Sequence, residues 1–391
     1  MAEATAGRWR GGDVAVRPLS LLGTGWEAPL LLVLTTVALS FGLISVYSAS
    51  AARAVLEDVP DYFYVIRQAV GGAIGLVLLV LAARLDYRRL RLLAWPILGV
   101  AAAAVAITIL PGSEAIAPST NGARRWLVFG PVRIQPSEVA KLALMIWTAA
   151  MVVKKQDRLR SLTRGLGPFL LVWGIVVGMI AAEPSLSAAM LTLLLSGLVL
   201  FAGGGRIGHF LLLAVLGVPL AWSHLGALSY QVQRIVTFLD PTHDVAGVSY
   251  QINQALIALG SGGVLGRGFG HGQQKYGFLP EPHNDFLFAT IGEEWGFVGT
   301  LAVILLFTGF ALVGYRIARQ APDVFGFLVA VGVTNLIVVQ AFLHMAVNLA
   351  LIPTTGVTLP LMSYGRSSLL VSMLALGILM NVARQSEGGP E

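Results

Sequence analysis

The sequence contains no cysteine and few charged residues, and both features limit what the protein can do. None of its 391 residues is a cysteine, which excludes disulfides and thiolate metal sites. The six histidines show no paired spacing, so no pattern for a zinc or haem site is present. Charged residues make up 12% of the chain and hydrophobic residues 56%. Most of the chain is therefore expected to lie in lipid.

Long apolar runs bounded by charges or by Pro and Gly turns predict an all-α, polytopic membrane protein. We predict one membrane domain over residues 28–382, between an N-terminal segment 1–27 and a tail 383–391. The seventh span is the weakest, because His209 and the stretch from Pro219 to His224 shorten it. The ten predicted spans are approximately Ala28–Ser50, Ala69–Ala83, Leu92–Leu110, Pro136–Val153, Gly167–Ala182, Ser185–Ala202, Gly208–Trp222, Phe297–Arg316, Val324–Met345 and Ser363–Val382.

The basic residues are distributed unevenly over the two sides of these spans. Sixteen of the 26 Lys and Arg residues fall on the side that holds both termini, which the positive-inside rule assigns to the cytoplasm. The net charge of +6 thus reflects topology, and no nucleic-acid partner is predicted. A large loop, about residues 223–296 between spans seven and eight, then faces the outside. Within it, Ile252, Leu256 and Leu259 are at helical spacing and predict a helix lying on the bilayer.

The segment before the eighth span carries the most informative polar cluster. Glu281, His283 and Asp285 stand close together, and two prolines precede Asp285. Asp285 is predicted to lie near the start of a helix at the outer surface. One interpretation is an N-cap. The other is a general base, because a partly desolvated carboxylate has a raised pKa and can take a proton from a sugar hydroxyl.

A second cluster precedes the fourth span. Glu138 and Lys141 are three residues apart and can pair on one helix face. They either neutralise each other at a helix end, with Ser137 as cap, or face a polar cavity, since charges within a span are costly. Arg124 and Arg125 suit a diphosphate, because guanidinium binds phosphate bidentately. The alternative for both arginines is anchoring at lipid headgroups.

A third polar segment runs from Pro353 to Ser368 and predicts a re-entrant turn rich in hydroxyls, with Arg366 as its only charge. Arg67 and Arg234 add basic groups on the outer side. Together the outward-facing groups describe a cavity for a polar, phosphorylated and lipid-linked molecule.

Motifs in a fixed order along nearly the whole chain resemble the SEDS family of bacterial shape, elongation, division and sporulation proteins. The resemblance implies a ten-span peptidoglycan glycosyltransferase that polymerises lipid II at the outer face of the cytoplasmic membrane, with a class B penicillin-binding protein as partner. The motifs are Val46–Ser50, Gly122–Trp126, Gln135–Glu138 with Lys141, Tyr250–Gln254, Ile257–Gly263, Pro280–Phe286, Gly292–Glu294, Pro353–Gly356 and Ser363–Gly365.

The resemblance also implies roles for individual residues. An acceptor hydroxyl attacks the anomeric carbon of the donor sugar and displaces undecaprenyl diphosphate with inversion. Asp285 matches the essential acid of the family and is expected to be the base. A divalent cation, Mg or Mn, is expected without an identified ligand set, and no organic cofactor is expected. The expected diphosphate-binding residues are Arg67, Arg124, Arg125, Lys141 and Arg366, and the supporting polar residues are Glu138, Lys141 and His283.

Four departures from the family pattern affect these expectations. Ser185 replaces an acid after the fifth span, so no catalytic carboxylate is expected there. Arg366 stands where Gly is usual, and Asn284 where Thr is frequent. His344 and Ala346 replace Asn and Gly in the ninth span.

Two other functions remain open: a flippase for lipid II, and a scaffold that only positions a transpeptidase. A flippase requires polar groups that continue to the cytoplasmic side, whereas the candidate charges cluster outside. A scaffold would tolerate Asp285→Asn. The short tail after Val382 favours a role in the elongation complex, and the outer ends of the spans near Arg366 and within residues 324–350 are candidate contacts for a partner's span.

Overall fold

The structure, a computed structural model, describes residues 25–119, 123–130, 132–156, 159, 161, 165–206, 208, 234, 238 and 248–386. This part of the chain forms ten α-helices and one short antiparallel hairpin. The hairpin consists of β1 (Leu127–Phe129) and β2 (Val132–Ile134). The helices are α1 (Glu27–Leu56), α2 (Phe63–Arg84), α3 (Arg88–Ile109), α4 (Pro136–Lys154), α5 (Gly167–Ala182), α6 (Leu186–Ala202), α7 (Val248–Gly262), α8 (Leu287–Gln320), α9 (Val324–Asn348) and α10 (Arg366–Ser386).

The prediction of an all-α, polytopic membrane protein is confirmed. Among the described helices, seven are long and apolar enough to cross a membrane, namely α1 to α4 and α8 to α10. α5 and α6 are shorter apolar helices of 16 and 17 residues. These nine helices match the predicted spans in order, and the predicted seventh span, 208–222, lies outside the described residues apart from Gly208.

Three helices form the centre of the bundle. In α4, α9 and α10 the most apolar window is 78%, 78% and 83% buried, whereas in α1, α2, α3 and α8 it is only 28–33% buried. A helix that is apolar on all sides is stable only when its neighbours surround it, and the outer helices leave one side for lipid. Close packing of α2 on α10 depends on Gly377, where an added Cβ would lie 2.3 Å from the Leu79 carbonyl oxygen.

The long helix α8 begins earlier than predicted. α8 starts at Leu287, whereas the span was predicted from Phe297. The helix is interrupted at Gly296, with φ 65° and ψ −159°, and an added Cβ there would lie 2.3 Å from the Gly266 nitrogen. The glycine-rich backbone after α7 therefore packs directly against this break. The predicted span therefore starts directly after the break, whereas α8 continues across it in both directions.

The helix predicted around Ile252, Leu256 and Leu259 is confirmed as α7, but its buried side differs from the predicted one. Ile252, Ala255 and Ala258 are buried, while Leu256 is 41% exposed. Alanines thus supply most of the packing face, because a small residue allows close approach to α8. The buried residues of this contact form a small separate core of Ala255, Ala258, Leu279, Phe286 and Ala289.

Candidate active site

Asp285 lies in the turn that leads into α8. Its backbone N–H donates to the Glu281 carbonyl at 3.1 Å. Asn348 Nδ2 donates to the Asp285 carbonyl at 3.1 Å, and Asn348 Oδ1 accepts from the Ala289 N–H at 2.9 Å. One amide of α9 therefore fixes both the Asp285 backbone and the first turn of α8. The N-cap of α8 is Phe286, without a side-chain cap, so the N-cap interpretation of Asp285 is wrong.

The Asp285 carboxyl is half-buried and surrounded by opposing charges. Burial, the largest cause, raises its pKa from 3.8 to about 7, and the negative charge of Glu281 raises the pKa as well. The positive charges of Arg234 and Arg125 act in the opposite direction. The carboxyl is therefore close to half-ionised at neutral pH, which suits a group that must accept a proton during turnover.

His283 holds the other side of this turn as a neutral ring. It packs against Tyr64 and Tyr364, with ring centroids 4.8 and 5.6 Å away, and the two tyrosine rings also contact each other at 5.1 Å. Burial, with a smaller contribution from Arg53, lowers its pKa to about 4. The Tyr364 N–H donates to the His283 carbonyl at 2.9 Å. His283 therefore shapes the turn through packing and its backbone and carries no charge at neutral pH.

The predicted pairing of Glu138 with Lys141 is confirmed. Lys141 Nζ lies 3.0 Å from Glu138 Oε1, and the lysine is only 2% exposed. The N-cap of α4 is Gln135, without a side-chain cap, so the predicted cap by Ser137 is wrong. Lys141 Nζ also donates to Gln340 Oε1 of α9 at 3.1 Å. The sequence offered no reason to connect Gln340 with this pair.

The two adjacent arginines before the hairpin make different contacts. Arg124 forms an ion pair with Glu114 at 2.6 Å, and the Glu114 side chain is 70% exposed. Arg125 Nε donates to the Glu183 carbonyl at 3.0 Å, and its guanidinium also donates to the Pro184 carbonyl. These carbonyls after α5 hold Arg125 close enough to Asp285 for its positive charge to lower the pKa of that carboxyl. Its position suits an anion that approaches Asp285.

Arg67 and Arg366, the remaining predicted cations, both lie along α2. The Arg67 guanidinium is 3.9 Å from the centroid of the Phe63 ring. Arg366 begins α10, and its side-chain stem packs over Gly71. Their role in binding a diphosphate stays a prediction.

Glu183 is a buried carboxylate that the sequence analysis overlooked. It is 1% exposed, accepts a hydrogen bond from Thr108 and has a pKa raised to about 7, chiefly by burial. Ser185, the departure predicted to remove a catalytic carboxylate from this segment, is the N-cap residue of α6. An acid between two apolar helices was the available signal, because such residues are rare at membrane depth and usually functional.

The segment 351–365 between α9 and α10 has no regular secondary structure, in agreement with the predicted turn. α10 begins at Arg366 and not at Ser363, where the span was predicted to begin. Buried side chains satisfy its backbone. His344 Nδ1 lies 2.8 Å from the Val357 carbonyl, and Arg234 donates to the Thr354 carbonyl at 3.1 Å. The departure at His344 thus has a structural use.

This irregular segment also contacts the Asp285 turn. Ser363 Oγ donates to the Asn284 carbonyl at 2.8 Å and accepts from the Leu359 N–H at 3.1 Å. Gln68 Nε2 of α2 donates to the Ser363 carbonyl at 2.9 Å. The turn that holds Asp285 is therefore supported from α2, α9 and the re-entrant segment together.

The described residues do not fit a protein-bound metal ion. None of their His, Asp and Glu side chains form a group of three or more that is placed to bind one. Glu138, a carboxylate of the predicted polar cavity, forms an ion pair with Lys141. The expected Mg or Mn ion therefore has no ligand set in these ranges, and we derive no chemical step through it.

The chain is similar to known proteins over nearly its whole length. Residues 29–388 match the model for the FtsW, RodA and SpoVE family, described as a cell cycle protein. The probable peptidoglycan glycosyltransferase FtsW of Geobacter metallireducens is 36% identical over 362 residues, which cover 92% of this chain and 96% of that protein. Stage V sporulation protein E of Bacillus subtilis is 36% identical over 360 residues, covering 91% and 97%.

Two solved structures share the fold. A chain from work on structural coordination of polymerization and crosslinking by a peptidoglycan synthase complex aligns with a TM-score of 0.75 at 28% identity, covering 92% of this chain and 98% of the other. The crystal structure of the rod shape determining protein RodA of Thermus thermophilus aligns with a TM-score of 0.66 at 28% identity, covering 92% and 97%. The family match and the relatives together show that this chain belongs to the FtsW/RodA/SpoVE family, the SEDS proteins.

Proposed function

We propose that this chain is a peptidoglycan glycosyltransferase that polymerises lipid II, with Asp285 as its general base. The proposal rests on the Asp285 carboxyl. Its pKa is raised to about 7, and it is close enough to Arg234 and Arg125 to interact with their positive charges. A group with this pKa is partly ionised at neutral pH, and it can also hold the proton it receives. The curated relative from Geobacter metallireducens is named a probable peptidoglycan glycosyltransferase, which supports the same activity.

In the proposed reaction Asp285 takes the proton of an acceptor sugar hydroxyl. The hydroxyl oxygen bonds to the anomeric carbon of the donor sugar, and the bond from that carbon to undecaprenyl diphosphate breaks with inversion. Arg125 and Lys141 offset the negative charge that develops on the leaving diphosphate. Arg67, Arg124 and Arg366 are proposed as outer contacts of the same diphosphate, and Glu138 and His283 as groups that hold Lys141 and the catalytic turn.

The proposed site faces the outside of the cytoplasmic membrane, and both termini are cytoplasmic. A class B penicillin-binding protein is the proposed partner. A structural relative comes from a peptidoglycan synthase complex in which polymerization and crosslinking are coordinated, which supports such a pairing. The outer ends of the spans near Arg366 and within residues 324–350 are the proposed contacts for the partner's span.

For the cellular role we propose division. The elongation role expected from the short tail is not confirmed, and the curated relatives named FtsW, in a family described as a cell cycle protein, favour division. Depletion of the protein in its own bacterium is expected to produce filaments. Rounded cells would instead support elongation.

The activity is tested with purified protein, with and without its penicillin-binding protein, by incubation with lipid II and separation of glycan products. Wild type is expected to form polymer, and Asp285→Asn and Asp285→Ala are expected to form none while still binding lipid II. Asp61→Asn is the matched control, because Asp61 is an exposed carboxylate bonded to Tyr47 at 3.0 Å. Polymer from the Asp285 variants would support the scaffold. No polymer from wild type, together with transfer of lipid II across vesicle bilayers, would support the flippase.

A further inference from the structure

The buried amide of Gln340 connects Lys141 to two other parts of the site. Its Oε1 accepts from Lys141 Nζ at 3.1 Å. Its Nε2 donates to the Thr358 carbonyl at 3.1 Å and to Ser368 Oγ at 3.2 Å. Gln340 is 3% exposed. One side chain of α9 thus joins α4, the irregular segment 351–365 and the first turn of α10.

The partners of Gln340 determine which way its amide points. Thr358 offers a carbonyl oxygen, which only accepts hydrogen bonds, so the Gln340 nitrogen must face it. The Gln340 oxygen must then face Lys141. The amide therefore has one stable orientation, and its oxygen fixes one of the three N–H groups of the ammonium.

Gln340 belongs to a polar stripe on α9. Gln340, His344 and Asn348 are four residues apart, so they lie above one another on one face of the helix. Asn348 holds the backbone of Asp285, and His344 meets the Val357 carbonyl. Gln340 is the member of the stripe that reaches the lysine. A rigid buried helix thus positions both the proposed base and the proposed phosphate ligand.

Lys275 is a second buried lysine, and its hydrogen bonds can be compared with those of Lys141. Lys275 Nζ donates to Glu294 Oε1 at 2.7 Å, Ser48 Oγ at 2.8 Å and the Gly270 carbonyl at 2.9 Å, which uses all three N–H groups. Lys141 Nζ receives only two acceptors from the described residues, Glu138 Oε1 and Gln340 Oε1. Its third N–H therefore has no acceptor among the described residues.

We infer that Gln340 is a positioning residue, which orients Lys141 so that its third N–H meets an oxygen of the lipid-linked diphosphate. The inference rests on the proposed function, because that function supplies the ligand. Glu138 and Gln340 together direct the ammonium. Because the Gln340 amide is uncharged, the cluster of Glu138, Lys141 and Gln340 has no net charge. A carboxylate in place of this amide would make the cluster anionic. An anionic pocket would repel the diphosphate.

The test measures binding of undecaprenyl diphosphate and of uncharged undecaprenol to the purified protein in detergent. The ratio of the two affinities isolates the contribution of the diphosphate from that of the lipid tail. Gln340→Leu is expected to lower this ratio about tenfold, because Lys141 loses the hydrogen bond that directs its ammonium, and a hydrogen bond to a charged group has effects of this size. Gln340→Glu is expected to lower it further, since a second carboxylate beside Lys141 repels the ligand.

Asn335→Leu is the matched control. Asn335 is also a buried amide of α9, but its Oδ1 accepts from Tyr315 at 2.7 Å, on the face towards α8. This variant also removes a side-chain amide of α9 and its hydrogen bond, so its Tm should fall while the affinity ratio stays within twofold of wild type. Unchanged ratios in folded Gln340→Leu and Gln340→Glu would overturn the inference.

The outcome is independent of polymerisation. If wild type polymerises lipid II and Gln340→Leu retains the affinity ratio, the proposed function stands and the inference fails. If wild type forms no polymer but binds the diphosphate through Gln340, the inference stands for a diphosphate site and the proposed chemistry fails.

Discussion

At the Asp285 carboxyl, burial and nearby charges act together on one group. Burial and Glu281 raise its pKa, and Arg234 and Arg125 lower it. A general base must be ionised before it accepts a proton, so kcat/KM for lipid II is expected to rise with pH and level off above about 7. Glu281→Gln removes a negative charge and should shift this acid limb downward by roughly half a pH unit.

The pH dependence is measured as kcat/KM between pH 5 and 9 with the same lipid II preparation. Arg234→Gln removes a positive charge and should shift the acid limb upward, against the direction of the Glu281 change. Asp61→Asn removes an exposed carboxylate that does not contribute to the Asp285 pKa and should leave the limb in place. An acid limb that does not move in either variant would contradict Asp285 as its origin.

The raised pKa of Asp285 also has a consequence for stability. The folded state binds this proton more tightly than the unfolded state, because the pKa is about 7 in the former against 3.8 for an ordinary Asp. The stabilisation from this group is therefore complete below pH 3.8 and is lost as the pH rises through about 7. Asp285→Asn should have a Tm above that of wild type at pH 8, by at least about 2 °C, and a smaller difference at pH 5. A lower Tm at pH 8 would contradict burial as the cause of the shift.

At the scale of elements, a buried network holds the glycine-rich loop after α7 against α8. Glu294 pairs with Lys275 at 2.7 Å and accepts from Ser48 of α1 at 2.6 Å. Glu293 Oε1 accepts from the Gln273 N–H at 2.7 Å. The side chains of Lys275 and Glu294 are 3% and 2% exposed, so removing one partner leaves a buried charge. The loop that leads to Asp285 depends on this pair for its position.

Lys275→Met is therefore expected to destabilise the protein by about 3–5 kcal/mol, measured by thermal or denaturant unfolding in detergent. The double variant Lys275→Met with Glu294→Gln should be more stable than Lys275→Met alone, since no uncompensated charge remains. The exposed pair Arg53–Glu57 is the control, and Arg53→Met should cost under about 1 kcal/mol. Equal losses from the buried and exposed pairs would contradict this account.

Sequence patterns located the helices well because lipid imposes a simple rule on every span. The apolar runs gave the order of α1 to α6 and α8 to α10, and the pairing of Glu138 with Lys141 followed from helical spacing alone. The start of α8 was missed because Gly296 interrupts a helix that continues across it. Gln340 and Asn348 were missed because their partners come from distant parts of the chain, although an amide within an apolar span is itself a signal.

At the scale of the whole molecule, contacts between helix ends define two opposite faces of the bundle. At one face Glu27, which starts α1, pairs with Arg316 near the end of α8 at 2.8 Å. Tyr87, between α2 and α3, donates to Asp323, between α8 and α9, at 2.6 Å. The other face holds the contact of Ser48 with Glu294, near the start of α8. Arg88, Arg316 and Arg384, which are predicted to be cytoplasmic, make their contacts at the Glu27 face. Asp285 precedes the start of α8 and lies on the opposite face.

This arrangement predicts which loops are reached from outside the cell, and the chain suits the test because it contains no cysteine of its own. We expect Ala115→Cys, in the turn after α3, and Tyr276→Cys, in the loop after α7, to react with a membrane-impermeant maleimide in intact cells. Leu85→Cys, between α2 and α3, should react only after the membrane is permeabilised. All three residues are exposed, so access to the reagent depends on the side of the membrane.

Labelling of Tyr276→Cys also tests whether the chain crosses the membrane between α6 and α7. Gly203, at the end of α6, packs on Val152 near the end of α4, whereas Lys275 contacts the opposite face through Ser48. Labelling of Tyr276→Cys and Ala115→Cys from outside, with Leu85→Cys protected, would put Gly203 and Lys275 on opposite sides of the membrane, as the predicted seventh span requires. Labelling of Leu85→Cys in intact cells, with the other two protected, would reverse the orientation and place Asp285 on the side without lipid II polymerisation. Both results are read from the same three variants.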